Sequence, residues 1–410
     1  MRVGFVHLCT DRGGKPFRNQ VVTCWQGGRV DAKVQPMAAG RASDSAAEEV
    51  RSVLGSTLQR FGPDYWRAQD AARAFPAEFF ETIGEAGYFG TFIPEAYGGA
   101  DAGPRVASVL VEEINRAGGD AAAVNAQMSI CRTLVLHGSE EQKKRYLPGV
   151  ASGAIRFLTV AATEPDSGAN MDELSSTARR EGSHWVLNAS KVLISFAEHT
   201  RLMILLARAE EGTTLFLLDL EEVGDRVQMH PIELVAHRMT SSLFIDELRI
   251  PDSRRIGPPG NGLSCLMKGF VIRRVLAASE AIGNARFLLD QSVEYAKTRK
   301  TFGQLIGVNQ GIQYPLVQAY GHIEAADMIR WDVLDRVDRG EDAVVRSAMA
   351  KVLASEAAWE TTRAALTTFG GWGLASEYHV ERKLREGTVY VFNNLLMNLI
   401  ADRGLGLPNK

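Results

Sequence analysis

The hydrophobic period changes twice along this chain, and that constrains the fold more than any single residue does. From about residue 45 to 150, apolar residues recur three and four apart in segments such as AEEVRSVLGSTLQRFG and PAEFFETIGEAGYFG, and each segment ends at glycine. This is the stripe of an amphipathic helix with its usual stop signal. SEEQKKRYLPGVASG adds a start signal, Ser139 with Gln142 three residues on, as a capping box requires. From about 155 to 252 the pattern shortens. IRFLTVAAT, RLMILLARA and TTLFLLDL are apolar runs sized for buried strands, and STARREGSHWVLNASKVLIS reads as two strands joined at Glu181-Gly182. Beyond GPPGNG, a hinge at 257 to 262, longer helical segments return, with Ile282, Ala285, Leu289, Val293 and Ala296 on one stripe. The expected class is α+β, in series: a weakly structured extension over 1–40, a helical domain over 41–154, a β-domain over 155–258 and a helical bundle domain over 259–410.

Bulk properties exclude several functions. Hydrophobic residues make up 45% of the 410, enough for a substantial core, and the formal net charge is only -3. Basic residues come as pairs (Arg179-Arg180, Arg254-Arg255, Arg273-Arg274), not as a stripe, which argues against nucleic-acid binding. No run of 18 apolar residues exists, so no membrane span is expected. The start, MRVGFVHLCTDRGGKPFRNQ, lacks the apolar block of a secretion signal. Cysteines at 9, 24, 131 and 265 form no CxxC, which suits reduced thiols and a cytoplasmic location. His184, His230, His237 and His379 are isolated, so no metal site is expected, and His379 between Glu377 and Glu381 reads as a solvated helix face. A GxSxG elbow is absent, and no GxGxxG follows a strand.

Four stretches carry chemistry. In TEPDSGAN, 163 to 170, Thr163 ends a strand and offers a hydroxyl and a backbone N–H to one planar acceptor, while Gly168 permits close approach of a ligand; a proline-containing turn is the plainer alternative. Glu164 has no partner nearby in sequence. In RKTFG, 299 to 303, Arg299 suits a pyrophosphate, Thr301 adds a hydroxyl and Phe302 an aromatic face, or the stretch simply ends a helix. FGGWG, 369 to 373, either cradles a phosphate or makes a tight turn between helices. YVFNNLLMNLI, 390 to 400, reads as a helix packing Val391, Leu395, Leu396 and Leu399, yet Asn393 and Asn394 stand side by side in it. Buried amides need partners.

Taken together and in order, YAKTRKTFGQLIGVNQGIQ, TEPDSGAN before LNASKVLIS, HRMTSSLFIDELRIP, FGGWGLASEYHVERKLRE and the glycines of IPEAYGG resemble the acyl-CoA dehydrogenase family over about residues 45 to 405. The resemblance implies an all-helical N-terminal domain, a central β-sheet domain and a C-terminal four-helix bundle, assembled as a homo-oligomer (tetramer or dimer). It implies FAD between the β-domain and the bundle, with its adenosine end reaching a neighbouring subunit. Thr163 and Ser195 match the hydroxyl residues at the flavin ring, and Leu193 replaces a tryptophan beside it. Arg299, Thr301 and Phe302 match diphosphate and adenine contacts, Gln310 a further FAD contact, and Gly371 a glycine that approaches the partner subunit's cofactor. Gly168-Ala169-Asn170 stands where Gly-Ser-Asp is usual, which widens the substrate to an acyl thioester on CoA or on acyl carrier protein.

In that family's reaction a base removes the α-proton of the thioester while the β-hydride moves to the flavin. Asn394 occupies the position of the usual glutamate, followed by Leu395 and Leu396 for the usual glycine and threonine. An amide has no useful basicity. The alternative glutamate position precedes a family arginine; Arg274 matches the arginine, and the preceding residue is Arg273. Glu280, two turns or roughly 10 Å further along the helix, is a displaced base, a structural ion-pair partner or a contact distal to the flavin. The expected function is an FAD-dependent oxidoreductase with an atypical base, with Asn394 and Arg274 at the reacting centre. The alternatives are a flavin-dependent monooxygenase, or a non-catalytic FAD-binding subunit partnering a glutamate-bearing homologue.

Overall fold

A computed structural model describes residues 45–168, 171 and 173–408. The expected extension over 1–40, with Cys9 and Cys24, lies outside the described residues, as do Ala169 and Asn170.

The helical period at the start gives α1 (Ser45–Arg60), α2 (Pro63–Ala72), α3 (Ala77–Glu85), α4 (Gly103–Arg116), α5 (Ala122–His137) and α6 (Glu140–Ala151). The capping box forms at α6: Ser139 Oγ accepts from Gln142 N at 3.2 Å, and Gln142 Oε1 accepts from Ser139 N at 3.0 Å. Gln142 also donates from Nε2 to Ser253 O and Arg255 O, so the same side chain that starts α6 ties it to the next layer.

The strand runs become β1 (Thr159–Ala161), β2 (Thr177–Glu181), β3 (His184–Ser195), β4 (Leu202–Ala209) and β5 (Gly212–Asp219). A short α7 (Leu220–Val223) precedes β6 (Val227–Ile232), β7 (Thr240–Pro251) and β8 (Arg255–Ile256). One mixed sheet results, in the order β6-β7-β3-β2-β4-β5-β8, with β1 parallel to β4. The uninterrupted apolar character of β4 has a simple cause. Leu202, Ile204 and Leu206 join a core with Ile130, Leu134 and Leu147, while Met203, Leu205 and Ala207 join another with Trp185, Leu187 and Leu243. Side chains alternate between faces along a strand, and here both faces are covered.

The last region contains α8 (Gly262–Lys268), α9 (Phe270–Thr298), the hairpin β9 (Lys300–Thr301) and β10 (Gln304–Leu305), α10 (Gln310–Asp338), α11 (Val344–Phe369), α12 (Val380–Gly387) and α13 (Asn394–Leu399). Alanines of α11 (Ala350, Ala354, Ala357, Ala358) share a core with Ala278, Ile282, Ala285 and Leu289 of α9, and their size permits close packing. The α4–α9 crossing is closer still. A Cβ on Gly283 would lie 2.3 Å from Glu112 O, so only glycine fits.

Beside this crossing, Glu112 is fully buried and paired with two arginines. Arg330 Nη1 lies 2.6 Å from Glu112 Oε2, and Arg286 pairs with the other oxygen. Asp327 completes the cluster, 2.6 Å from Arg330 Nη2 and 2.8 Å from Arg286 Nη2. Burial alone would raise the Glu112 pKa; the fields of Arg330 and Arg286 outweigh it and hold the carboxyl at about 2.

Two local readings change. YVFNNLLMNLI is not one helix: a 3₁₀ turn covers Thr388–Val391, and α13 starts at Asn394. The reason is Lys351, whose Nζ donates to Tyr390 O at 2.9 Å, to Phe392 O at 3.4 Å and to Asn393 Oδ1 at 2.6 Å, engaging groups that a continuous helix would need. Val391 and Leu395 consequently stay 44% and 46% exposed. His379 is not on a solvated face. It sits at the start of α12 with φ 59°, packed edge-on to Phe287 at 6.3 Å, and burial, then Arg382, lowers its pKa to about 4.

Glu112→Gln leaves two buried guanidiniums without their carboxylate, so it should reduce unfolding free energy by about 3–5 kcal/mol. Because folding lowers the Glu112 pKa from 4.5 to about 2, its contribution is complete above 4.5 and disappears as pH falls toward 2. Denaturant midpoints of wild type and variant should therefore converge across that window.

Candidate active site

Thr163 follows β1, and its position is fixed from two sides. Its carbonyl accepts from Val192 N at 3.0 Å. The next residue, Glu164, is buried, correcting the reading that it lacks a partner. Its Oε1 accepts from Lys191 Nζ at 2.7 Å and from Ser176 N at 3.1 Å, and its Oε2 from Ser175 N at 2.5 Å. Lys191 also donates to Ala162 O at 3.1 Å. Burial pushes the Glu164 pKa up, but the Lys191 bond and the serine N–H groups bring it below the usual carboxylate range. The pair is 27 residues apart in sequence, too far for any local pattern to reveal it.

Ser195 ends β3 three residues after Val192, and Thr159 Oγ1 donates to its carbonyl at 3.0 Å. Among the described residues, no hydrogen bond engages the hydroxyl of Thr163 or Ser195, or the Thr163 N–H. Leu193, at φ 56° and 55% exposed, presents an apolar face next to them. Two free hydroxyls and a free amide spread along neighbouring β1 and β3, with an uncovered apolar side chain between them, fit the edge and face of a flat polar ring. Gly168 is exposed, with open space where a Cβ would go.

Phe196 connects this sheet edge to the bundle. Its N–H donates to Met239 O at 2.9 Å, and its ring belongs to the same buried cluster as Ile272 and Leu276, which bracket Arg273 and Arg274 on α9. Arg274 is buried, with Nη1 3.5 Å from Ser347 Oγ and Nε without a hydrogen-bond partner. Burial first, then the field of Arg403, lowers its pKa. Arg273 is exposed, and desolvation by the surrounding protein lowers its pKa. The adjacent asparagines have different roles. Asn393 accepts from Lys351 and is structural, whereas Asn394, the first residue of α13, is exposed and its amide has no hydrogen bond among the described residues. Burial brings Lys351 itself down to about 8, with Glu280 acting in the opposite direction.

Glu280 is the residue that local pattern served least. Among the described residues no lysine or arginine forms an ion pair with it; it accepts from Asn125 Nδ2 at 2.8 Å. Burial, reinforced by Asp120 and opposed by Arg238 and the Asn125 bond, raises its pKa to about 7.

A second group of sequence-selected residues lies elsewhere. The Arg299 N–H closes α9 by donating to Tyr295 O at 2.9 Å, and its side chain is exposed. Phe302 (φ 49°) and Gly303 (φ 80°) form a tight hairpin turn that leaves the Phe302 ring fully exposed beside exposed Thr301. Gln310 opens α10 and Gly371 lies in the 3₁₀ turn after α11, both exposed. Arg274 and Arg299 are 25 positions apart along α9, about 37 Å at about 1.5 Å per residue, so one chain does not bring the two groups together.

Family profiles match nearly all of this. The acyl-CoA dehydrogenase N-terminal domain covers residues 44–154, the middle domain 159–247 and the C-terminal domain 260–393, ending one residue before Asn394. The chain belongs to the acyl-CoA dehydrogenase family. Acyl-CoA dehydrogenase FadE12 of Mycobacterium tuberculosis is 30% identical over 374 residues, 88% of this chain and 96% of that protein. Among solved structures, glutaryl-coenzyme A dehydrogenase in complex with glutaryl-CoA superposes with a TM-score of 0.83 at 28% identity, over 90% of this chain and 97% of the other. The prolyl acyl carrier protein oxidase AnaB superposes with a TM-score of 0.83 at 25% identity, over 90% of this chain and all of the other (100%). The expected α+β class, with helical, β-sheet and helical-bundle layers in series, is the fold these relatives share.

If the Glu164–Lys191 pair holds the Thr163 loop, Lys191→Met should destabilise the fold by about 3–5 kcal/mol by stranding a buried carboxylate. The double variant Lys191→Met with Glu164→Gln should recover part of that loss in the same denaturation measurement.

Proposed function

We propose that this chain is an FAD-dependent oxidoreductase acting on an acyl thioester carried by CoA or by acyl carrier protein, with a base other than residue 394. The observation that carries the reading is the set of unspent hydrogen-bonding groups at Thr163 and Ser195, set beside α9 with its buried, partly unpartnered Arg274. Thr163, Gly168 and Ser195 would hold the ring. Arg299, Thr301, Phe302, Gln310 and Gly371, at the far end of α9, would hold the diphosphate and adenosine of a second copy's cofactor, which makes the working form a homo-oligomer. Exposed Trp372, Leu374, Phe392 and Leu405 support such an assembly. Boundaries near 40, 154 and 258 divide the chain on this reading. The buried free thiols of Cys131 and Cys265 support a cytoplasmic setting, and no described helix is long and apolar enough to cross a membrane.

When bound, FAD supplies the hydride acceptor. The chain does the rest. Arg274, desolvated and with a spare N–H, stabilises negative charge developing on a thioester oxygen. Asn394 donates or accepts a hydrogen bond but takes no proton. The Leu193 face and the buried cluster around Phe196 exclude water from the ring.

The amide at 394 favours one second reading, a flavin-dependent monooxygenase, because oxygen chemistry needs no carboxylate there. Anaerobic addition of acyl thioesters to the purified protein decides between them. Bleaching of the flavin absorbance supports the first reading; no bleaching across a broad panel, with oxygen uptake that depends on a flavin reductase, supports the second. Arg299→Ala should weaken FAD binding by roughly tenfold to a hundredfold through loss of a charge-assisted contact. Asn394→Ala should leave FAD content unchanged, and equal loss in both variants would refute the division of roles.

A further inference from the structure

Glu280 and Asn125 form a buried polar pair with unused bonding capacity. They are 7% and 8% exposed. The bond from Asn125 Nδ2 to Glu280 Oε1 is the carboxylate's only hydrogen bond among the described residues. Asn125 Oδ1 is enclosed and has no partner at all. An unsatisfied buried acceptor costs about 1–3 kcal/mol, so the pair is unfavourable unless something brings a donor.

Two nearby cations are committed elsewhere, and a third, Arg273, forms no ion pair with Glu280 among the described residues. Arg238 holds Asp120 with bonds of 2.7 and 2.8 Å, and Lys351 gives its protons to the segment 390–393. Position then limits what the donor belongs to. Seven residues separate Glu280 from Arg273, almost two full turns, so both project from the same side of α9 about 10 Å apart. Glu280 therefore meets different atoms from those that residue 273 would meet. It is placed for a part of the substrate remote from the thioester. A carboxyl at about 7 remains substantially ionised at neutral pH and so can accept.

Resting on the reading of the site as an acyl-thioester oxidoreductase, we infer that Glu280 and Asn125 are a subsite for a hydrogen-bond-donating group, a hydroxyl or an ammonium, carried on the acyl moiety several bonds from the thioester carbonyl. A plain aliphatic chain would leave both acceptors unpaired, and such a site rejects it.

The test uses FAD-loaded protein and acyl-pantetheine thioesters, whose thiol portion is common to both carriers. Calorimetric affinities are compared for unsubstituted, ω-hydroxy and ω-amino acyl groups at each of several short chain lengths. At one length a donor-bearing thioester should bind at least tenfold tighter than its unsubstituted counterpart. Glu280→Leu should erase that preference without weakening the unsubstituted ligand, and flavin absorbance reports whether the variant is folded. Glu280→Gln identifies the donor, since it retains a hydroxyl ligand and loses an ammonium one. Equal affinity for all three groups at every length, or preference for the unsubstituted chain, overturns the subsite and leaves a trapped water as the donor. If no thioester of any kind binds or bleaches the flavin, the parent reading fails and the subsite fails with it.

Discussion

Everything in this molecule is referred to the crossing of α4 and α9 at Gly283, with Glu112 clamped between Arg286 and Arg330 beside it. The missing side chain lets two helices touch backbone to backbone, and the buried charges tolerate one arrangement because any other strands a guanidinium. Replacing such a cluster with apolar residues need not cost stability, but breaking it does. Its effect is therefore to fix geometry. α9 carries Arg273, Arg274 and Glu280 near its start and feeds the Arg299 hairpin at its end, so the crossing sets where both groups stand.

The site follows a consistent division of labour. Groups with no free bonds hold the frame: Glu164 and Lys191 behind Thr163, and Lys351 behind the 390–393 segment. Among the described residues, the groups with bonds to spare are the Thr163 and Ser195 hydroxyls, which are accessible, and Arg274 Nε and Asn125 Oδ1, which are enclosed. Rigid support behind unsatisfied donors and acceptors is how a protein binds a polar partner without reorganising.

The charge balance is unusual for a family whose reaction removes a proton. An amide stands at 394 and an arginine at 273, beside a desolvated Arg274 and a Lys351 lowered to about 8. Among the buried and half-buried carboxylates, Asp120 is held by Arg238, Glu386 by Arg382 and Lys383, and Glu280 stands two turns from Arg273. On the proposed reading, such surroundings would stabilise an enolate oxygen rather than take up the proton that forms it.

The amino-acid order by itself determined whatever depends on neighbours in the chain. The changes of hydrophobic period gave the layers, Ser139 and Gln142 gave a helix start, Glu181-Gly182 a hairpin, and TEPDSGAN and RKTFG their loops. It also showed that residue 394 is an amide. Only the tertiary structure decided which amide is structural and which is free, that Glu164 is paired, that His379 is enclosed and that Glu280 is buried without a cation. Those properties come from Lys351, Lys191, Phe287 and Asn125, each distant in sequence. Burial and pairing are sums over spatial neighbours, and a local pattern contains no record of them.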